Sequence, residues 1–167
     1  MNKILLFLLL IGFSVYSQNT HIDSITNLLR TADSEYDIAL LKLQLSKLNE
    51  RIDISKGKAL AMEAYQYKDD DSLLVESTNQ VARFYFFSAQ LDSARYYFEE
   101  TKKFANSIKD FEREAAINIS LGAIQLRQGD YNKTIKTLTE SATFFEGVKD
   151  SLNAANVIAT LPPHLQN

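Results

Sequence analysis

The sequence predicts an all-α fold, an α-solenoid of antiparallel helix pairs that recur with a period of about forty residues. Three observations predict it. Asp70, Asp110 and Asp150 stand forty residues apart, and each closes a strongly amphipathic run. Within those runs apolar residues are spaced by three, four and seven, which gathers side chains on one side of an α-helix. Only five Gly and two Pro punctuate the chain, too few for the turns of a multi-stranded β fold.

Composition sets the class of partner. The 167 residues are 46% hydrophobic and 23% charged, the balance of one modest folded domain. A net charge of −3 provides no cationic footprint for nucleic acid or anionic lipid, so no nucleic-acid partner is expected.

Residues 1–17 read as a signal peptide. Lys3 supplies the positive start and Ile4 to Phe13 the apolar run. Val15 and Ser17 stand at the small-residue positions of a cleavage site before Gln18. The run is shorter than the roughly 20 residues of a bilayer-spanning helix, although an uncleaved anchor stays open as the alternative. No second apolar stretch follows, so no transmembrane helix is expected after the signal peptide. The chain has no Cys, which excludes both a lipidated N-terminus and a disulfide-stapled secreted domain. The expected location is outside the cytoplasm, periplasmic or secreted.

Residues 18–35 are expected to hold a capping helix around Ile22 to Leu29. Residues 36–70 read as a degenerate first repeat, with helices over Ile38 to Leu48 and Ala59 to Tyr67 and a long Asn49 to Gly57 connection. Residues 71–110 are a clear repeat. Its first helix, about Ser72 to Ser88, carries Leu74, Val81, Ala82 and Tyr85. Its second, about Leu91 to Ile108, carries Ala94, Tyr97, Phe98, Thr101, Phe104, Ala105 and Ile108. Residues 111–150 repeat the pattern, with Leu121 and Gly122 in the places of Val81 and Ala82, and Gln125 in that of Tyr85. Gly129-Asp130-Tyr131 makes the turn, followed by Thr134, Ile135, Leu138, Ala142 and Phe145. Small residues at Ala82, Ala94 and Gly122 let paired helices approach closely. Residues 151–167 begin another repeat, with Leu152, Ala155, Ile158 and Leu161 on one face. Pro162 and Pro163 stop that helix near Thr160. The expectation is an incomplete repeat, truncated near Leu161, that self-associates through its open C-terminal side.

These motifs resemble the tetratricopeptide repeat. Leu121-Gly122 and Gly129-Asp130-Tyr131 match its small residue and its Gly-x-Tyr turn, while Tyr85, Ala94 and Phe98 match in the preceding repeat. Thr134 and Gln125 depart from the consensus, and the period exceeds the usual thirty-four. A helical bundle without repeats would show similar apolar spacing; the forty-residue recurrence favours the repeat. The resemblance implies a concave groove lined by the first helix of each pair. Its peptide-groove residues here would be Asn79, Arg83, Phe86, Phe87, Ile119, Ala123, Leu126 and Arg127. Phe84, Phe86 and Phe87 exceed one helix stripe, so aromatic surface is expected outside the pair, unless it packs on the neighbouring repeat. Exposed aromatics beside Arg suit a protein or peptide partner.

No catalytic, metal or cofactor-binding constellation is apparent. His21 and His164 have no companion donors. Asp69-Asp70-Asp71 is explained by helix capping. No phosphate loop or nucleophile elbow occurs, and the sequons at Asn118 and Asn132 fall in expected helices. An exported repeat of this type resembles the sensor region of bacterial kinases and helix-turn-helix regulators, which implies a sensing or docking role. The alternative is a free-standing periplasmic adaptor for envelope assembly.

Overall fold

The computed structural model describes residues 20–161. The expected signal peptide, its cleavage point, Pro162, Pro163 and His164 lie outside the described residues. Eight helices and no strand occur among those described. They are α1 (residues 20–31), α2 (Glu35–Asn49), α3 (Ile54–Ala64), α4 (Asp71–Phe87), α5 (Leu91–Ser107), α6 (Phe111–Arg127), α7 (Tyr131–Gly147) and α8 (Ser151–Thr160). The chain divides into two compact units, Met1–Tyr67 and Lys68–Asn167.

In the first unit α2 packs antiparallel on α3. Leu43 and Ala39 are buried from one helix, and Ala61 and Ala64 from the other. The connection is shorter than the sequence suggests. Asp53 ends it by accepting the backbone N–H of Lys56, so α3 starts at Ile54. Gly57 therefore lies inside the helix and not in a loop. There the buried Ser46 hydroxyl donates to its carbonyl oxygen at 2.8 Å, tying α2 to α3. A Lys42–Glu63 ion pair at 2.8 Å and an edge-on Tyr36–Tyr67 contact close the rims of the hairpin.

The second unit explains its own period. Helices α4 to α7 each have seventeen residues, and three-residue links separate them, so two helices with their links span forty. The links share one geometry. Ala89, Lys109, Gly129 and Lys149 take left-handed φ values of 56°, 60°, 77° and 61°. The next residue then donates its N–H to a carbonyl five residues back: Gln90 to Tyr85, Asp110 to Ala105, Asp130 to Gln125 and Asp150 to Phe145, all at 2.8–2.9 Å. This satisfies carbonyls that the helix end leaves open. Asp110, Asp130 and Asp150 in turn accept the backbone N–H three residues on, as Asp70 does at the start of α4. One residue thus closes a helix through its backbone and opens the next through its carboxylate. Gln90 provides no side-chain cap.

Burial repeats with the same step. The buried residues of α7, Thr134, Leu138, Ser141 and Phe145, stand forty after those of α5, Ala94, Phe98, Thr101 and Ala105. The six buried residues of α6 likewise stand forty after buried residues of α4. One apolar cluster joins Ala82, Ala94, Phe98, Ile117, Leu121 and Ile124; a second joins Ala115, Leu138, Phe145, Ala154 and Val157. Each second helix is thus held between two first helices, α5 between α4 and α6, and α7 between α6 and α8. A Cβ added to Gly122 would stand 2.6 Å from Leu138 Cδ2, so close helix approach at this position depends on glycine.

Three expectations are corrected. Ile135 is not a core residue but 36% exposed, because the buried stripe 134-138-141-145 leaves it one position around the helix. Phe84 is fully buried and adds nothing to the surface. In α8 the inward face is Ala154 and Val157, with Leu161 packed beside them. Leu152, Ala155 and Ile158 face outward, Leu152 at 73% exposure.

Candidate binding surface

The expected groove residues lie on α4 and α6. At the N-terminal end of these helices, Arg113 reaches Glu76 across the pair at 3.6 Å and its own cap Asp110 at 3.5 Å. Both contacts are half exposed, so each contributes little to stability. Near the C-terminal ends, the Arg127 guanidinium of α6 lies over the Phe86 ring of α4, 4.1 Å from its centroid. Arg83 lies 5.5 Å from the Phe87 centroid, and the two Phe rings meet edge to face at 6.0 Å. Arg83, Phe86, Phe87 and Arg127 therefore form one cluster. Asn79, Ile119, Ala123 and Leu126 are half-buried on the same two helices.

The three phenylalanines have three different roles. Phe84 is core. Phe86 is partly buried and packs on the Ala82–Phe98–Ile124 cluster, so it supports the fold and also seats Arg127. Phe87 is 49% exposed and is the exposed ring of this cluster. The Phe86 ring restricts the motion of the Arg127 guanidinium, whose N–H groups can donate to an acceptor. The arrangement can hold a carboxylate beside an apolar side chain.

Other features stand apart from it. A cleft of about 380 Å³ lies at Asp110, Glu112, Arg113 and Ala116, but Asp110 and Arg113 there are already engaged in capping and ion pairing. Tyr96 is 58% exposed, set edge-on to Tyr97, which stacks on Tyr85 at 5.3 Å. Sequence reasoning missed Tyr96, although its place next to the inward Tyr97 already puts it on the outer side. Asn118 is buried and accepts from Lys102 Nζ at 2.9 Å, and Thr134 of the second sequon is buried too. Among the described residues no group of three or more His, Asp or Glu is placed to hold a metal, and no helix is long and apolar enough to cross a membrane.

Fold and surface together define an all-helical, repeat-like protein. The crystal structure of BtubC (BKLC) from P. vanneervenii is similar to it, with a TM-score of 0.67 over 86% of this chain at 18% sequence identity. The chain spans 61% of that protein's length. At this identity the likeness shows the fold alone. No protein-family model and no curated protein matches the chain.

Proposed function

We propose that this chain is an exported tetratricopeptide-type scaffold that binds a protein segment, serving as the periplasmic sensing or docking part of a signalling protein. The observation that carries the proposal is the Arg83–Phe87–Phe86–Arg127 cluster on the two helices that correspond under the forty-residue step. Its ligand is an extended peptide with a carboxylate near an apolar side chain. The carboxylate engages the Arg127 guanidinium and the apolar group covers Phe87 beside Arg83, as arginine and aromatic residues commonly do at interface hot spots. Export rests on the Lys3, Ile4–Phe13 and Val15–Ser17 pattern.

Selection of a random displayed peptide library on the purified chain tests the binding. Acidic sequences with an apolar neighbour should be enriched. Arg83→Ala, Arg127→Ala and Phe87→Ala should each weaken a selected peptide roughly tenfold, the effect of about 1.4 kcal/mol. Phe86→Ala is unsuitable because its ring is part of the core packing. Enrichment that is unchanged by all three variants would contradict the assignment of the surface. N-terminal sequencing of the exported protein should begin at Gln18, and retention of Met1 would instead indicate an anchor.

A further inference from the structure

A cleft of about 290 Å³ lies over the first half of α6. Lys102 of α5, Phe111, Glu114 and Asn118 of α6, and Glu140 and Phe144 of α7 line it. Phe111, Glu114 and Asn118 are spaced by three and four and so share one stripe of the helix. Arg127 follows Asn118 by roughly two and a half turns, which puts it on the opposite side of α6. The cleft is therefore separate from the Arg83–Arg127 cluster.

Asn118 is the informative residue. It is only 7% exposed, and Lys102 Nζ donates to its Oδ1 at 2.9 Å. An ammonium cannot accept, so this bond fixes which amide atom is the oxygen and leaves Nδ2 as a donor. Among the described residues Nδ2 has no partner, and it is open to the cleft that Asn118 lines. Buried amides are ordinarily paired, so this one calls for an acceptor from outside. The repeat itself does not require it. Forty residues earlier the places of Glu114 and Asn118 hold Leu74 and Thr78, and forty later they hold Ala154 and Ile158.

The other lining residues specify the rest of the ligand. Glu114 is already engaged, by Asn106 at 2.8 Å and Lys102 at 3.7 Å. Glu140 is exposed and makes no ion pair among the described residues. Phe111 is 51% exposed, and the half-buried Phe144 meets Phe145 edge to face. A guanidinium suits this lining, because it pairs with a carboxylate and stacks on aromatic rings. Two carboxylates against one ammonium also leave the cleft negative, which favours a cation. The acceptor for Asn118 Nδ2 is then a peptide carbonyl beside that side chain.

We propose that this cleft binds an arginine of a protein segment. Glu140 pairs with the guanidinium, Phe111 and Phe144 cover it, and Asn118 Nδ2 donates to a backbone carbonyl of the segment. This preference is opposite in charge to that of the Arg83–Arg127 cluster, so the two assignments stand or fall separately.

NMR titration of the nitrogen-15-labelled full chain with blocked alanyl-arginyl-alanine tests the proposal. The side-chain amide of Asn118 and the backbone amides of residues 111–118 and 140–144 should shift. Citrulline in place of the arginine keeps the shape without the charge and should weaken binding about tenfold. Butylguanidinium keeps the cation without a peptide carbonyl and should also bind about tenfold more weakly. Glu140→Gln, at an exposed position, should leave the melting temperature unchanged and weaken the tripeptide by about the same factor. Asn118→Ala should remove the advantage of the tripeptide over butylguanidinium; should that variant not fold, the Asn118 amide shift in the parent chain reports the same bond. Shifts confined to other residues would overturn the proposal, as would a citrulline peptide or a Glu140→Gln chain that binds as tightly. Equal affinity for butylguanidinium would overturn the protein segment in favour of a small-cation site.

Discussion

Gly122 shows how a single position fixes the approach of two helices. Replacing it with Ala relieves the cost of glycine in a helix, about 1 kcal/mol. The new methyl, however, meets Leu138 Cδ2 at 2.6 Å and Cγ at 2.9 Å, and Leu138 is fully buried. Overpacking of this kind costs about 1–3 kcal/mol. Gly122→Ala should therefore destabilise the protein by roughly 1 kcal/mol net, and should do so less when combined with Leu138→Val. A double-mutant cycle by urea denaturation measures that coupling, and additive effects would mean the two residues do not touch. The need for a small residue at position 122 was legible in the sequence, because Ala82 stands forty before it. The separate roles of Phe84, Phe86 and Phe87 were not. Consecutive aromatics at a helix end give no stripe to distinguish them, and only packing shows which ring turns inward.

The helices begin and end where their caps allow. The Lys133 ammonium, bonded to Asp130 at 2.6 Å, and the Lys133 backbone amide hold that carboxyl below its ordinary range. The backbone and side-chain amides of Asn153 do the same for Asp150. A carboxyl whose pKa is depressed by folding stabilises the folded state above its unfolded value, near 3.9. That contribution is lost as pH falls through the folded value. Thermal melts between about pH 5 and 2 should accordingly show a smaller loss for Asp150→Asn, which keeps the cap acceptor without a titrating group, than for the parent chain. Parallel pH profiles would show that the cap does not titrate with folding. These boundaries could be read from the sequence because the acidic residues that mark them also make them. The inward face of α8 could not be. Leu152, Ala154, Ala155, Val157, Ile158 and Ala159 surround the helix with apolar groups, so periodicity selects no side. Gly57 misled for another reason: it reads as a breaker, yet it lies buried within α3 with its carbonyl accepting from Ser46.

The unit from Lys68 onward is a repeated object in its packing as well as its sequence. The same inward positions are filled at each step with different volumes, Phe98 over Ala82 and Leu138 over Gly122. The fold was legible because a recurring pattern appears more than once in the chain and each copy supports the other. The ligand surface was less so: Arg83 and Arg127 could be named, but not their placement over Phe87 and Phe86, which depends on contacts between helices forty residues apart. Truncation at equivalent positions tests the repeat itself. Phe98→Ala and Leu138→Ala, each removing a fully buried side chain, should destabilise the protein by about 2–5 kcal/mol. The adjacent exposed substitutions Glu99→Ala and Thr139→Ala should stay within about 0.5 kcal/mol. Chemical denaturation of the four variants measures this, with a large effect expected at both buried positions and almost none at their neighbours. Similar small shifts for all four, or a large shift at only one of the two buried positions, would contradict the forty-residue repeat.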